Sequence, residues 1–124
     1  MAWIGVDLDG TLAEYDGWHG PTHIGKPIEP MLQRIKDWIA QGIEVRIVTA
    51  RMAGVRQGIP TEQTRELIQE WLVDVCELPA LEVTNEKDFG MIQLWDDRAV
   101  QVIPNTGMPV GEYHDHEVHS GHAD

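Results

Sequence analysis

The chain has 124 residues, of which 42% are hydrophobic and 24% charged, as expected for one globular domain with no room for a second. Its formal net charge of −12 argues against a protein that holds nucleic acid along the phosphate backbone. No apolar stretch is long enough to span a membrane, and no basic segment precedes the first apolar run, so we expect neither a membrane anchor nor a signal peptide. The single cysteine, Cys76, lies in an apolar helical stretch. It is expected to be a buried, inert thiol, which favours a reducing, cytoplasmic setting.

The spacing of the apolar residues alternates between strand-like and helix-like along the chain. Strands are predicted over residues 3–8, 43–48, 81–84, 91–95 and 99–103, and helices over residues 28–41 and 61–75. Thr61 is expected to cap the second helix at its N-terminus. This alternation predicts an α/β fold: a three-layer, Rossmann-like domain over residues 1–103 with a mainly parallel five-stranded sheet. Residues 104–124 are predicted to form a poorly ordered, acidic, His-rich tail.

Short polar residues follow three of the predicted strands. Asp7 and Asp9 end the first, Thr49 follows the second, and Asp96 and Asp97 follow the fourth. In an open α/β sheet, ligands bind beyond the carboxyl ends of the strands, so these side chains are expected to meet at one edge. Four converging carboxylates would repel one another strongly without a cation. Oxygen ligands of this kind suit Mg²⁺.

The same residues resemble the signature motifs of the haloacid dehalogenase superfamily of phosphohydrolases. The run Asp7-Leu8-Asp9-Gly10-Thr11-Leu12 is similar to the first motif, and Val48-Thr49-Ala50-Arg51 to the second. Lys87 lies where the lysine of the third motif is expected, and Leu94-Trp95-Asp96-Asp97-Arg98 is similar to the acidic fourth motif. The resemblance spans roughly residues 3 to 103 and implies a phosphomonoester hydrolase that requires Mg²⁺.

The resemblance also implies roles for the first motif. Asp7 would attack phosphorus and form an aspartyl-phosphate, which splits a slow hydrolysis into two easier steps. Asp9 would protonate the leaving oxygen and then activate water, because side chains two residues apart along a strand return to the same face. Gly10 would let the chain turn close to the phosphate, since it has no Cβ.

The other implied roles concern the phosphate and the metal. Thr49 and Lys87 would bind phosphoryl oxygens, and Lys87 would also offset the carboxylate charge. Arg51 either contacts substrate or pairs with an acidic residue. The metal would be held by Asp7, the backbone carbonyl of Asp9 and Asp96, with Asp97 either a ligand through water or a residue that anchors the other ligands.

Several other polar residues have no role set by a motif. Arg98 is expected to form a structural ion pair, and Arg56 is a candidate contact for an anionic substrate. The loop after the first motif carries aromatic and histidine side chains that either contact the leaving group or pack within the loop: Trp18, His19 and His23. Four histidines near the C-terminus either chelate a transition metal or lie in a solvated tail: His114, His116, His119 and His122.

The spacing of the motifs leaves no room for the cap domain that many relatives in this superfamily carry. An open site of this kind accepts a bulky substrate or is completed by a neighbouring subunit in a homo-oligomer. The leading prediction is a small phosphate ester such as a nucleotide. Phosphates on nucleic-acid ends or on proteins are the alternative substrates. Two other classes stay open: a receiver-like switch that accepts phosphate on its own aspartate, and a catalytically silent binding protein.

Overall fold

A computed structural model describes residues 2–54 and 58–111. It contains four strands: β1 (Trp3–Asp7), β2 (Glu44–Val48), β3 (Glu82–Thr84) and β4 (Met91–Trp95). Helix α1 (Glu29–Ala40) follows β1, and helix α2 (Thr61–Asp74) follows β2. Each of these elements begins and ends within about one residue of its predicted bounds. Within the described ranges, no helix has the length and apolar content needed to cross a membrane.

The four strands form one parallel sheet in the order β3-β2-β1-β4. Strand β1 is therefore central, as its unbroken apolar run predicts. The α/β class and the parallel sheet are confirmed. The sheet order places the carboxyl ends of β2, β1 and β4 next to one another, which the site requires.

Both helices pack against the same face of the sheet. In β2, buried Val45 and Ile47 alternate with residues that face the other way. They form one apolar cluster with residues of β1, α1 and α2, among them Ile4, Ile35 and Ile68. The thiol of Cys76 is buried in the same cluster, and this burial raises its pKa to about 11. The predicted inert thiol fits this environment.

The predicted three layers are not confirmed, because no helix lies between β3 and β4. Residues 85–90 connect the two strands directly, and their Asp88 accepts a 2.8 Å hydrogen bond from the indole of Trp3 on the second face of the sheet. The guanidinium of Arg46 covers the same indole at 4.3 Å. A short polar connection and an arginine therefore cover Trp3, which is fully buried, where a third layer was expected.

The predicted fifth strand over residues 99–103 is not confirmed either. Val102 forms only an isolated antiparallel bridge with Pro109. The backbone N–H of Ile103 donates to Met108, and that of Val110 donates to Gln101. This segment satisfies its hydrogen bonds by folding back on itself, so the β-branched run does not extend the sheet. Residues 104–111 belong to this turn, and the rest of the predicted tail lies outside the described residues.

The start of α2 also differs from its prediction. Pro60 occupies the N-cap position and Thr61 is the first helical residue. The Thr61 hydroxyl donates to the carbonyl of Gly54, so it ties the preceding loop to the helix and does not cap it.

Candidate functional site

The first motif forms a tight turn directly after β1. The carbonyl of Leu8 accepts hydrogen bonds from the backbone N–H groups of Thr11, Leu12 and Ala13. Gly10 has a φ of +89°, a left-handed conformation that favours glycine. A Cβ on Gly10 would also collide with the carboxylate of Asp97. Gly10 is therefore required both by the turn and by the close approach of the fourth motif.

The turn brings three carboxylates together as a cluster. Asp7, Asp96 and Asp97 each offer one oxygen, and these oxygens all lie within 4.8 Å of one another. The Thr11 hydroxyl lies 3.4 Å from both Asp7 and Asp97 and accepts a 3.1 Å hydrogen bond from the Asp97 backbone. Arg98 donates its backbone N–H to Asp96 at 2.7 Å. Three close carboxylate oxygens fit a hard divalent cation such as Mg²⁺.

The negative charge of this cluster affects the pKa of Asp7, the candidate nucleophile. Burial, the largest cause, together with the neighbouring Asp96 and Asp97 raises the pKa of Asp7 from 3.8 to about 7. A cation among these oxygens would oppose the shift, because positive charge favours the ionised carboxylate. Without a cation the site therefore holds a proton on Asp7 up to about pH 7, and a bound cation would favour its release.

This pKa shift predicts how stability depends on pH when metal is absent. Between about pH 4 and pH 7 the folded chain holds a proton on Asp7 that the unfolded chain has lost, so stability falls as pH rises through this range. After allowance for solvent screening, we expect a loss on the order of 2 kcal/mol between about pH 5 and pH 8. Urea unfolding in EDTA measures it. Asp7→Asn should flatten the profile, and an unchanged profile in that variant would assign the effect to other groups.

Asp9 points away from the acidic cluster toward Arg51. The guanidinium donates from Nε and Nη2 to the two carboxylate oxygens of Asp9, at 2.8 and 2.9 Å. Arg51 is 4% exposed, so this pair is shielded from water. Of the two roles considered for Arg51, the structure places it in the ion pair, while its contact with substrate stays a prediction. Asp9 retains lone pairs for a further contact, because a carboxylate has about four acceptor sites.

Thr49 closes β2 beside this pair. Its backbone N–H donates to Thr84, which extends the pairing of β2 with β3 by one residue. Its hydroxyl accepts a 3.1 Å hydrogen bond from the backbone of Arg51 and caps the 3₁₀ turn Ala50–Met52. Thr49 is buried, at 3% exposure, and its hydroxyl hydrogen remains available to an oxygen in the site.

The loop of residues 14–26 is folded over the site and fastened at its base. The backbone of Glu14 donates to Lys26, and a Cβ on Gly25 would collide with the carbonyl of Glu14. Within the loop, the imidazole of His19 lies 2.7 Å from Asp16 and packs edge-on against His23. The loop histidines thus contact one another and Asp16.

A cavity of about 370 Å³ lies at the carboxyl ends of the strands. Side chains from every strand end and from the loop line it, namely Asp7, Asp9, Tyr15, Trp18, Val48, Thr49, Ala50, Arg51, Ala53, Asn85, Asp96 and Arg98. The structure thus brings five of the predicted site residues to the cavity: Asp7, Asp9, Thr49, Arg51 and Asp96. Gly10 lies in the turn that follows β1.

Two predicted site residues are not among those that line the cavity. Asp97 joins the acidic cluster without being among the residues that line the cavity, and Lys87 is exposed and is not among them either. Arg98, expected in a structural role, lines the cavity. Arg56 and the four tail histidines lie outside the described residues.

Three further site residues received no role from the sequence. Thr11 belongs to the first motif and bridges Asp7 and Asp97. Asn85 directly follows β3, so the rule that strand ends carry the site could have identified it. Tyr15 lies in the loop, where no periodic pattern indicates which way a side chain points.

A scan against protein-family models and a search of curated proteins each find no match to this chain.

Proposed function

We propose that this protein is a Mg²⁺-dependent phosphomonoester hydrolase of the haloacid dehalogenase type that acts through an aspartyl-phosphate on Asp7. The observation that carries the proposal is the convergence of Asp7, Asp96 and Asp97 within 4.8 Å, beside a cavity that Asp9 and Thr49 also line. A structural role for these carboxylates alone would not require three of them at one point, because their mutual repulsion is unfavourable.

In this proposal the carboxylates of Asp7, Asp96 and Asp97 would hold the metal. When bound, the cation supplies positive charge that balances the carboxylates and the oxygens of the incoming phosphate. It also favours the ionised form of Asp7, which is the form that can attack phosphorus.

The protein's own side chains carry the two chemical steps. In the first, a carboxylate oxygen of Asp7 attacks phosphorus, the bond to the ester oxygen breaks, and Asp9 gives that oxygen a proton. In the second, water attacks phosphorus and gives a proton to Asp9. The bond between phosphorus and Asp7 then breaks and releases inorganic phosphate. Arg51 fixes the position of Asp9 throughout, which is what proton transfer over hydrogen-bond distances requires.

In this proposal, Thr49 and a basic side chain near the cavity bind the phosphate. The hydroxyl of Thr49 is preorganised by its contact with the backbone of Arg51, so it costs little to orient. The family resemblance assigns the cation to Lys87, but Arg98 is the basic side chain outside the Asp9 pair that lines the cavity. We therefore propose that Arg98 shares or replaces the role expected of Lys87.

The direct test is hydrolysis of a simple aryl phosphate by the purified protein. We expect release of phosphate in Mg²⁺ and a loss of activity on the order of 100-fold or more in EDTA, restored by excess Mg²⁺. Acetyl phosphate distinguishes the hydrolase from its main alternative, because a receiver-like switch would retain stable phosphate on the protein without turnover. A protein that neither hydrolyses phosphate esters nor accepts phosphate would contradict the enzyme proposal and favour a binding role.

A further inference from the structure

The loop of residues 14–26 contributes two large aromatic side chains to the cavity. Tyr15 and Trp18 are both half-buried and line the cavity together with Asp7 and Asp9. Neither belongs to the apolar core of the domain. An aromatic ring kept partly exposed inside a polar cavity loses the stabilisation that core burial would supply, which indicates a surface kept for contact with a ligand.

The Trp18 ring is held in place by the same arginine that holds Asp9. The Arg51 guanidinium lies 4.9 Å from the ring centroid. It also donates 2.9 Å and 3.4 Å hydrogen bonds to the loop carbonyls of His23 and Pro21. The ring of Trp18 is therefore held in place before any ligand arrives, and preorganisation of this kind lowers the entropic cost of binding.

This arrangement sets where a ligand ring would lie relative to the reacting atoms. One guanidinium separates the indole of Trp18 from the carboxylate of Asp9, the group that would protonate the leaving oxygen. A ligand whose ester oxygen lies at Asp9 would therefore reach the Trp18 ring only across the width of this guanidinium. A ligand that uses both needs a short spacer between its phosphate and a planar ring.

On the basis of the proposed hydrolase function, we infer that the substrate is a nucleoside phosphate whose base stacks on the aromatic wall formed by Tyr15 and Trp18. The sugar supplies the spacer and the base supplies the planar ring. Asn85, which lines the cavity from the end of β3, has an amide that can both donate to and accept from the edge of a base. The net charge of −12 favours a free nucleotide over the end of a strand, because a strand brings further phosphates into a repulsive field.

The test compares two substrates that share the same reacting phosphate. Adenosine 5′-monophosphate and ribose 5-phosphate differ only in the base. We expect kcat/KM for the nucleotide to be about 5- to 150-fold higher, the range that stacking of one base on an aromatic side chain supports. Trp18→Leu should lower this ratio by about 5-fold or more, whereas Trp18→Phe should retain most of it.

Two controls separate stacking from general damage. Phe89 is a fully exposed aromatic residue in the β3–β4 connection, and Phe89→Leu should leave the ratio as in the wild type. Binding is measured without turnover by calorimetry on Asp7→Asn, where the nucleotide should bind more tightly than ribose 5-phosphate and Trp18→Leu should reduce the difference. A short oligonucleotide with a 5′-phosphate serves as a third substrate. If its kcat/KM is lower than that of the mononucleotide, the result supports a free nucleotide, and not the end of a strand, as the substrate.

The outcomes for the two proposals are distinct. Equal kcat/KM for the nucleotide and ribose 5-phosphate, with both hydrolysed in Mg²⁺, would overturn the stacking inference and leave the hydrolase intact. A preference for the nucleotide that is unchanged in Trp18→Leu would also overturn it. Absence of hydrolysis with every substrate would contradict the hydrolase itself, while the calorimetric comparison would still decide whether the aromatic wall binds a base.

Discussion

Replacing Asp7 by asparagine should abolish hydrolysis of an aryl phosphate, with a loss in kcat of about 10⁴-fold or more. Asparagine has nearly the same shape as aspartate, but its neutral amide cannot attack phosphorus as a carboxylate does. It also removes one of the three negative charges of the acidic cluster, in which one oxygen each of Asp7, Asp96 and Asp97 lies within 4.8 Å of the others. The nucleophile is therefore lost, and a cation in the cluster would be held more weakly.

The folded state of Asp7→Asn should be retained, since the substitution relieves repulsion in the metal-free protein. Circular dichroism and urea unfolding in EDTA check this. A matched control is Asp74→Asn, which makes the same chemical change on an exposed residue at the end of α2 and should leave kcat unchanged. If Asp7→Asn retained kcat within about tenfold of the wild type, Asp7 would not be the nucleophile and the aspartyl-phosphate would have to be abandoned.

The convergence at the strand ends was predictable because it depends on topology. Strand β1 is buried on both faces and so must be central, and parallel strands that alternate with helices place their carboxyl ends on one side. This rule alone brings Asp7, Thr49 and Asp96 to one cavity. It required no knowledge of side-chain direction, since each residue either ends a strand or directly follows one.

The missing third layer was also within reach of the sequence. Six residues, 85–90, separate β3 from β4, and a helix with its two connections does not fit in that length. The number of strand–helix alternations predicted helices on both faces, whereas the length of this one connection excludes a helix there. Lys87, which the family resemblance places shortly before the fourth strand, lies in this connection and is exposed.

The contacts of Arg51 could not have been predicted in the same way. Its partners are Asp9 and the carbonyls of Pro21 and His23, and the last two lie in a loop without periodic structure. Whether Arg51 faces a substrate or a carboxylate depends on how that loop closes. The closure depends in turn on Gly25, where any side chain would meet the carbonyl of Glu14.

Removing Arg51 is the substitution with the largest expected effect on stability. In Arg51→Met, the carboxylate of Asp9, whose side chain is 12% exposed, would be left without its partner in a site shielded from water. Breaking a buried ion pair on one side costs about 3–5 kcal/mol, a large share of the about 5–15 kcal/mol that holds a typical domain folded. The loop would also lose its two carbonyl contacts and the support of Trp18, so kcat should fall by about 100-fold.

Arg46 supplies a matched control, because it also lies over a tryptophan and pairs with carboxylates. Its partners Glu44, Glu82 and Asp88 are 39%, 57% and 59% exposed, so solvent screens these pairs and Arg46→Met should cost several-fold less than Arg51→Met. Urea unfolding of both variants in Mg²⁺ gives the comparison. Equal losses would show that the Asp9–Arg51 pair has no special role in stability.

A double-mutant cycle then separates the ion pair from the loop contacts. Asp9→Asn removes the charge that Arg51 balances, so Arg51→Met should be less destabilising in that background than in the wild type. The part of the loss that remains belongs to the contacts with Pro21, His23 and Trp18. If Arg51→Met does not fold, Arg51→Lys takes its place in the same cycle. Lysine keeps the positive charge but cannot donate two parallel hydrogen bonds to the carboxylate as arginine does. A loss that is identical in both backgrounds would mean that Arg51 acts through the loop alone, and Asp9 would then have to be positioned by the turn of the first motif.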